Sequence, residues 1–434
     1  VPINYTWLPA DKPDIEDTHL NIYVAEGSYI TTIDGAKIYD AISSWWCKPL
    51  GHQHPLVRES IIKQLNYFEH HIPANALNST IEQLSSRLIQ IFTQMDKVMY
   101  ASDGSSAVEI AMKLSYEIRV LEGKIHRSKF IALNGAYHGE TIFTLGVCGI
   151  PAYTKNYTAL IQQNYFIDNI VYVNSTNDPL WLDCNFDFVY WENFFSKYAP
   201  DATALIIEPI VQGALGMKII SRDFLLQIIK LAQQHDLHII ADEIMVGLGR
   251  LGCYSVSKEI LDFEPDLVCF AKNLTAGAIP MSAVVINRSI SNCFRKHKQI
   301  FPHSHTHSCN SLAAAVAVNY LDWLDNTNFK SRVKLAEIEL TRLLLKLQAE
   351  FLFIKQTRVI GLIAALELDL PETILAQIFK LGIQELIYIR PIGNILYIMP
   401  PIYNIEFDLA IIWDRLTQLL QRIDHLTCID IYYV

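Results

Sequence analysis

The sequence predicts an α/β protein whose larger part is helices packed on a mainly parallel sheet, and three observations carry this. From about residue 85 to 290, short apolar runs alternate with longer amphipathic stretches. Three of these runs, 204–207, 238–241 and 267–271, have strand length and strand composition. Between the first two lies 224–234, where Leu225, Ile228, Ile229 and Ala232 recur at helical spacing.

The flanking regions differ. Near the start, Tyr29-Ile-Thr-Thr-Ile-Asp-Gly-Ala-Lys-Ile-Tyr39 reads as a hairpin turning at Asp34-Gly35. Beyond 310, helical stretches near 310–325 and 331–350 precede short strands around 361–367 and 395–399. They predict a smaller α/β domain. With 434 residues, 51% hydrophobic and 18% charged, the chain can bury a large core divided among two or three domains.

A net charge of -10 opposes nucleic-acid binding, which needs a concentrated basic face, and favours small-molecule substrates. The eight cysteines lack C-x-x-C spacing and several sit inside apolar runs, as expected of reduced core thiols. The first residues carry no basic start followed by an apolar stretch, and no run approaches the roughly 18 apolar residues of a membrane span. The expectation is a cytoplasmic protein without a membrane segment.

The three strand-like runs lead into charged residues: Glu208, then Asp242 and Glu243, then Lys272. In an open parallel sheet ligands bind outside the carboxyl ends of the strands, so these charges should converge on one crevice. One such residue alone would mark only a strand leaving the core; three in consecutive units predict a site.

Upstream, Tyr100-Ala-Ser-Asp-Gly-Ser-Ser106 leads into a helical pattern in which Ala107, Ile110, Ala111 and Leu114 share a face. Small residues at a helix start leave N–H groups free and let a phosphate reach the positive end of the dipole. No G-x-G-x-x-G or Walker sequence accompanies it, which disfavours nucleotide cofactors.

A phosphate cradle, a strand-end acid and a lysine at the next strand end are together what pyridoxal 5'-phosphate requires. The lysine bonds the aldehyde, and the carboxylate keeps the pyridine nitrogen protonated so that the ring accepts electrons. Tyr137, in a glycine-flanked loop, is the candidate to stack on that ring. His303, His305 and His307 alternate, so an extended segment would place them on one face as a candidate metal site.

These residues resemble the class III aminotransferases of fold type I. The matching motifs are Ser102-Asp-Gly-Ser-Ser-Ala-Val-Glu109, Tyr137-His-Gly-Glu140, Ile207-Glu-Pro-Ile-Val-Gln-Gly213, Ala241-Asp-Glu-Ile244 with Gly249-Arg250, and Ala271-Lys-Asn-Leu-Thr-Ala-Gly277, in the family's order. The resemblance implies a homodimer with shared sites. It also implies a large cofactor domain over 51–310, a small domain over 311–434, and residues 1–50 joining the small domain.

For the cofactor, it assigns Lys272 the catalytic role, Asp242 the pyridine nitrogen, Gly104 and Ser105 the phosphate, and His305 and Thr306 the phosphate of the neighbouring subunit. By that resemblance Thr306, between the alternating histidines, is a phosphate contact instead of part of a metal site. Ser43-Ser-Trp-Trp46, Tyr388-Ile-Arg-Pro-Ile-Gly-Asn394 and Leu396-Tyr-Ile-Met-Pro-Pro401 resemble members that aminate a long keto acid with S-adenosylmethionine as donor. By that resemblance Tyr5, Trp45, Trp46, Tyr137 and Ser304 contact substrate and Arg390 takes its carboxylate. The alternative within the family acts on an ω-amino acid, ornithine or acetylornithine. Glu140, Ile402, Ser304-His305 and Cys47-Lys-Pro49 depart from the family's pattern.

Overall fold

Seven strands build the sheet that the apolar runs predict. In the computed structural model, which describes residues 6–9 and 19–431 with side chains through 427, their spatial order is Met95–Ala101, Ser282–Asn287, Leu267–Phe270, His238–Asp242, Ala202–Ile207, Lys129–Leu133 and Tyr165–Ile167. All run parallel except Ser282–Asn287, which is antiparallel to both neighbours. Ala202–Ile207 is buried along its whole length, as a central strand covered on both faces must be, so apart from Thr203, whose hydroxyl pairs with Ser115, it is apolar rather than alternating.

Helix Gly104–Leu121 lies on the sheet through Ala107, Ile110, Ala111 and Leu114, all buried. The Asp103 carboxylate caps it, accepting the Ser106 N–H at 2.9 Å. Such a cap is worth about 1 kcal/mol. Helix Arg222–Gln234 buries Phe224, Leu225, Ile228, Ile229, Leu231 and Ala232, each large aliphatic contributing roughly 1.5–3 kcal/mol.

The hairpin forms as its turn residues require: strands Tyr29–Thr32 and Lys37–Asp40 pair antiparallel, and Gly35 takes φ +88°. Lys37–Asp40 also pairs in parallel with Ile387–Tyr388 from near the other end of the chain, Asp40 standing opposite Tyr388. An antiparallel sheet, Ile354–Ile360, Ile363–Leu368 and Ile395–Ile398, is covered by helix Phe329–Glu350, and helix Ile405–Ile431 packs against that helix. The sequence reading did not single out Ile405–Ile431, although Ile405, Ile412, Leu416, Leu419, Leu420 and Ile423 recur at helical spacing and are buried. No helix among the described residues is long and apolar enough to cross a membrane.

Candidate active site

The carboxyl ends of three parallel strands open into a cavity of about 380 Å³, and Glu208, Asp242 and Lys272 all line it. Asp242 is the last residue of its strand and is 6% exposed. One carboxylate oxygen lies 2.9 Å from His138 Nδ1, and the other accepts the Ile244 N–H at 3.1 Å. A buried charge needs such partners, and these fix the carboxylate's orientation as well. His138 Nε2 is buried without a hydrogen-bond partner. The neighbouring Glu243 turns away from the cavity and is consumed structurally, accepting from Ser255 Oγ and from the Val256 and Ser257 amides.

Burial drives the Lys272 ammonium below its ordinary pKa, with the Asp242 and Glu208 carboxylates pulling it back up. The direction favours a free amine, the form that can attack a carbonyl and take a proton. Its Nζ lies 5.3 Å from the centre of the Trp46 ring. Glu208 is pushed up to about 7, first by burial and then by the Asp242 charge, with His138 opposing. Its two oxygens accept the Tyr137 and Gly213 amides at 2.9 and 3.2 Å, so it anchors the loop that carries Tyr137. Tyr137 lines the cavity and donates its hydroxyl to Glu140 at 2.8 Å.

The opposite end of the cavity is the start of helix Gly104–Leu121, with Ser102, Asp103, Gly104 and Ser105 in its wall. A Cβ on Gly104 would stand 2.9 Å from the Ile244 side chain, and one on Gly139 would stand 2.3 Å from Ser105 Oγ. Bare backbone is therefore required at Gly139, whose φ is +123°, while at Gly104 the Ile244 methyl would have to give way. An enclosed amine, a fixed carboxylate and a glycine-walled helix N-terminus in one cavity fit pyridoxal phosphate: Lys272 would bond its aldehyde, Asp242 face its pyridine nitrogen, and Gly104 and Ser105 hold its phosphate.

The substrate candidates divide. Trp46 is buried in the cavity wall and donates Nε1–H to the Tyr397 hydroxyl at 3.0 Å. Trp45 is 48% exposed and is absent from that wall; Arg390 lies over its ring at 4.4 Å. The Arg390 charge also lowers the hydroxyl pKa values of Tyr153, Tyr388 and Tyr397 against the larger effect of burial.

Ser304 and Thr306 are exposed and His305 is half-buried; none of them lines this chain's cavity. His305 Nε2 pairs with His303 Nε2 at 2.9 Å, and among the described residues no group of three or more His, Cys, Asp or Glu side chains is placed to hold a metal. Tyr5 lies outside the described residues. The sequence reading missed His138 as the partner of Asp242; its adjacency to Tyr137 in a glycine-flanked loop was the available signal. It also missed Met245 and Thr275, which line the cavity from loops without periodic pattern.

The chain matches the family model for aminotransferase class-III over residues 12–420. It is 31% identical to the adenosylmethionine-8-amino-7-oxononanoate aminotransferase of Helicobacter pylori, with 92% of each chain covered. The structure of the protein of that name from Methanocaldococcus jannaschii aligns with a TM-score of 0.86 at 27% identity, covering 96% of this chain and 97% of the other. An amine transaminase from an uncultivated Pseudomonas species, solved in its PLP-bound form, aligns with a TM-score of 0.87 at 26% identity, covering 96% and 99%. With the match spanning the cavity, both sheets and the hairpin, this chain belongs to the class-III aminotransferases.

Proposed function

We propose that this chain converts 8-amino-7-oxononanoate to 7,8-diaminononanoate in biotin biosynthesis, with pyridoxal phosphate as cofactor and S-adenosylmethionine as amino donor. The names and coverage of the relatives support the reaction. The observation that carries the substrate is Arg390 over the ring of Trp45, whose neighbour Trp46 forms a wall of the Lys272 cavity. Stacking on a ring face leaves the guanidinium's in-plane N–H groups for a carboxylate. The aromatic walls suit the methylene chain between that carboxylate and the reacting carbon, at roughly 0.8 kcal/mol per buried methylene.

When bound, pyridoxal phosphate supplies an aldehyde that bonds amines and a ring that takes up electrons as a proton leaves the substrate's α-carbon. Lys272, poised as a free amine by its desolvation, yields its place to the donor and then moves the proton between carbon atoms. Asp242, oriented by His138 and the Ile244 amide, holds a negative oxygen for the ring nitrogen. Tyr137, in the cavity wall, would flank the ring, and Trp46 would shield the Lys272 side.

The exposed Ser304 and Thr306 and the half-buried His305 serve the site of a second copy in a homodimer, Thr306 reaching its phosphate. A division near residues 50 and 310 separates the cofactor domain from a small domain built from both chain ends, and the protein works in the cytoplasm. Replacing Arg390 by Ala tests the substrate: apparent binding of the keto acid should weaken by about 1.5–3 kcal/mol, the scale of a charge-assisted hydrogen bond. Shortened keto acids should react less well with wild type. Unchanged keto-acid kinetics in Arg390→Ala, or faster turnover of short ω-amino acids by wild type, would remove the substrate assignment and leave the family.

A further inference from the structure

We propose that Asp40 and His52 form the positioning pair that sets the substrate cleft, turning Trp46 into the Lys272 cavity and Trp45 onto Arg390; the inference rests on the keto-acid reading of that cleft. Asp40 ends strand Lys37–Asp40 with its side chain buried. Its carboxylate accepts the Ile42 amide at 3.2 Å, the Ser44 amide at 2.6 Å and the His52 ring N–H at 2.9 Å. A buried carboxylate needs donors, and all three come from the ten or so residues that follow it. The segment is wrapped around the charge.

What it holds is a strained turn. Ser43, Ser44 and Trp46 have φ of +49°, +62° and +65°, a region that residues with a Cβ adopt only when their surroundings impose it. Besides Asp40, the turn is fastened by Ser43 Oγ donating to the Met399 carbonyl at 2.6 Å. The turn sends two consecutive indoles in different directions, one toward the Lys272 amine and one under the Arg390 guanidinium.

The same residue registers the other wall. Asp40 stands opposite Tyr388, the Ala41 amide donates to the Tyr388 carbonyl at 3.1 Å, and two residues later the chain reaches Arg390. One buried carboxylate thus sits where the tryptophan-bearing turn and the arginine-bearing strand leave their shared ladder. Cys47, the next residue of the turn, lines the cavity with its carbonyl pressed on Gly277, so its thiol reports on the turn's position.

The test uses holoenzyme of Asp40→Asn, His52→Ala and His52→Gln, measuring keto-acid kinetics and the rate of Cys47 alkylation by iodoacetamide, mapped by peptide mass. An asparagine presents one acceptor oxygen where the carboxylate used two. Asp40→Asn and His52→Ala should raise KM for the keto acid about tenfold, the effect of one lost charge-assisted hydrogen bond, with kcat within about threefold. His52→Gln keeps an N–H donor and should restore KM to within about threefold of wild type. Cys47 alkylation should accelerate about fivefold in the first two variants, while buried Cys184, Cys253 and Cys269 stay unlabelled.

Unchanged KM and Cys47 reactivity in Asp40→Asn would overturn the proposal. So would general cysteine exposure with kcat and KM falling together, or failure of His52→Gln to rescue. If Asp40→Asn does not fold, the His52 pair decides alone. If wild type does not aminate the keto acid, the substrate reading fails, and Cys47 reactivity still decides whether Asp40 holds the turn.

Discussion

Replacing Gly139 by Ala perturbs the proposed phosphate end of the cavity from the wall that Gly139 shares with Ser105. Gly139 has φ +123°, where a Cβ is strained regardless of space. The added carbon would also lie 2.3 Å from Ser105 Oγ, 2.8 Å from Ser105 Cβ and 3.0 Å from Thr144 Oγ1. Rotating Ser105 relieves the hydroxyl contact but not the Cβ contact. The helix carrying Ser105 cannot retreat, because Ala107, Val108, Ile110 and Ala111 behind it are fully buried. Backbone strain of about 1–3 kcal/mol and overpacking of a further 1–3 kcal/mol predict a loss of roughly 2–6 kcal/mol in unfolding free energy.

Chemical denaturation measures the total, and cofactor dissociation by dialysis should accelerate in parallel because Ser105 is displaced. Adding Ser105→Gly separates the two contributions in a double-mutant cycle: the overpacking part should be recovered and the backbone part retained. Stability within about 0.5 kcal/mol of wild type in Gly139→Ala, or no coupling with Ser105→Gly, would refute the reasoning.

Three further outcomes are expected. Asp242→Asn should retain pyridoxal phosphate through dialysis yet slow single-turnover transamination about a hundredfold or more, since a neutral amide does not support a protonated ring nitrogen; near-wild-type rates would assign that role elsewhere. Thr306→Ala should lose cofactor in step with dimer dissociation, followed by ultracentrifugation and absorbance together; a fully active monomer would contradict it. Burial lowers His238 from 6.5 to about 3, so between these values the unfolded chain binds a proton that the folded chain excludes. Stability should therefore rise with pH across that window, and acidifying from pH 7 to 5 should cost about 2 kcal/mol through this residue. His238→Gln should flatten that limb of a pH–denaturation series, and an identical slope would show that the imidazole is not the group responsible.

The sequence by itself determined the residues that parallel strands must deliver to one place. Stretches 204–207 and 239–241 have a continuous apolar pattern because both faces are covered, and the polar residue after each must lie at a strand end. That logic located Glu208, Asp242 and Lys272, and the small residues of 100–106 ahead of the apolar face from Ala107 located the helix start to within a few residues of Gly104. Local patterns of this kind depend only on neighbours along the chain.

Tertiary structure decided whatever depends on contacts between distant segments. Nothing periodic marks His138 as the partner of Asp242, which is 104 positions away, or Tyr397 as the partner of Trp46, 351 positions away. Adjacent in sequence and alike in chemistry, Trp45 and Trp46 part company because a turn with three left-handed residues, fastened by Asp40 at Ser44 and by Met399 at Ser43, turns one inward and leaves the other against Arg390. The parallel pairing of residues 387–388 with 39–40 joins the two chain ends and brings that arginine to the cleft; long-range pairing of this kind is set by the whole fold and leaves no local trace.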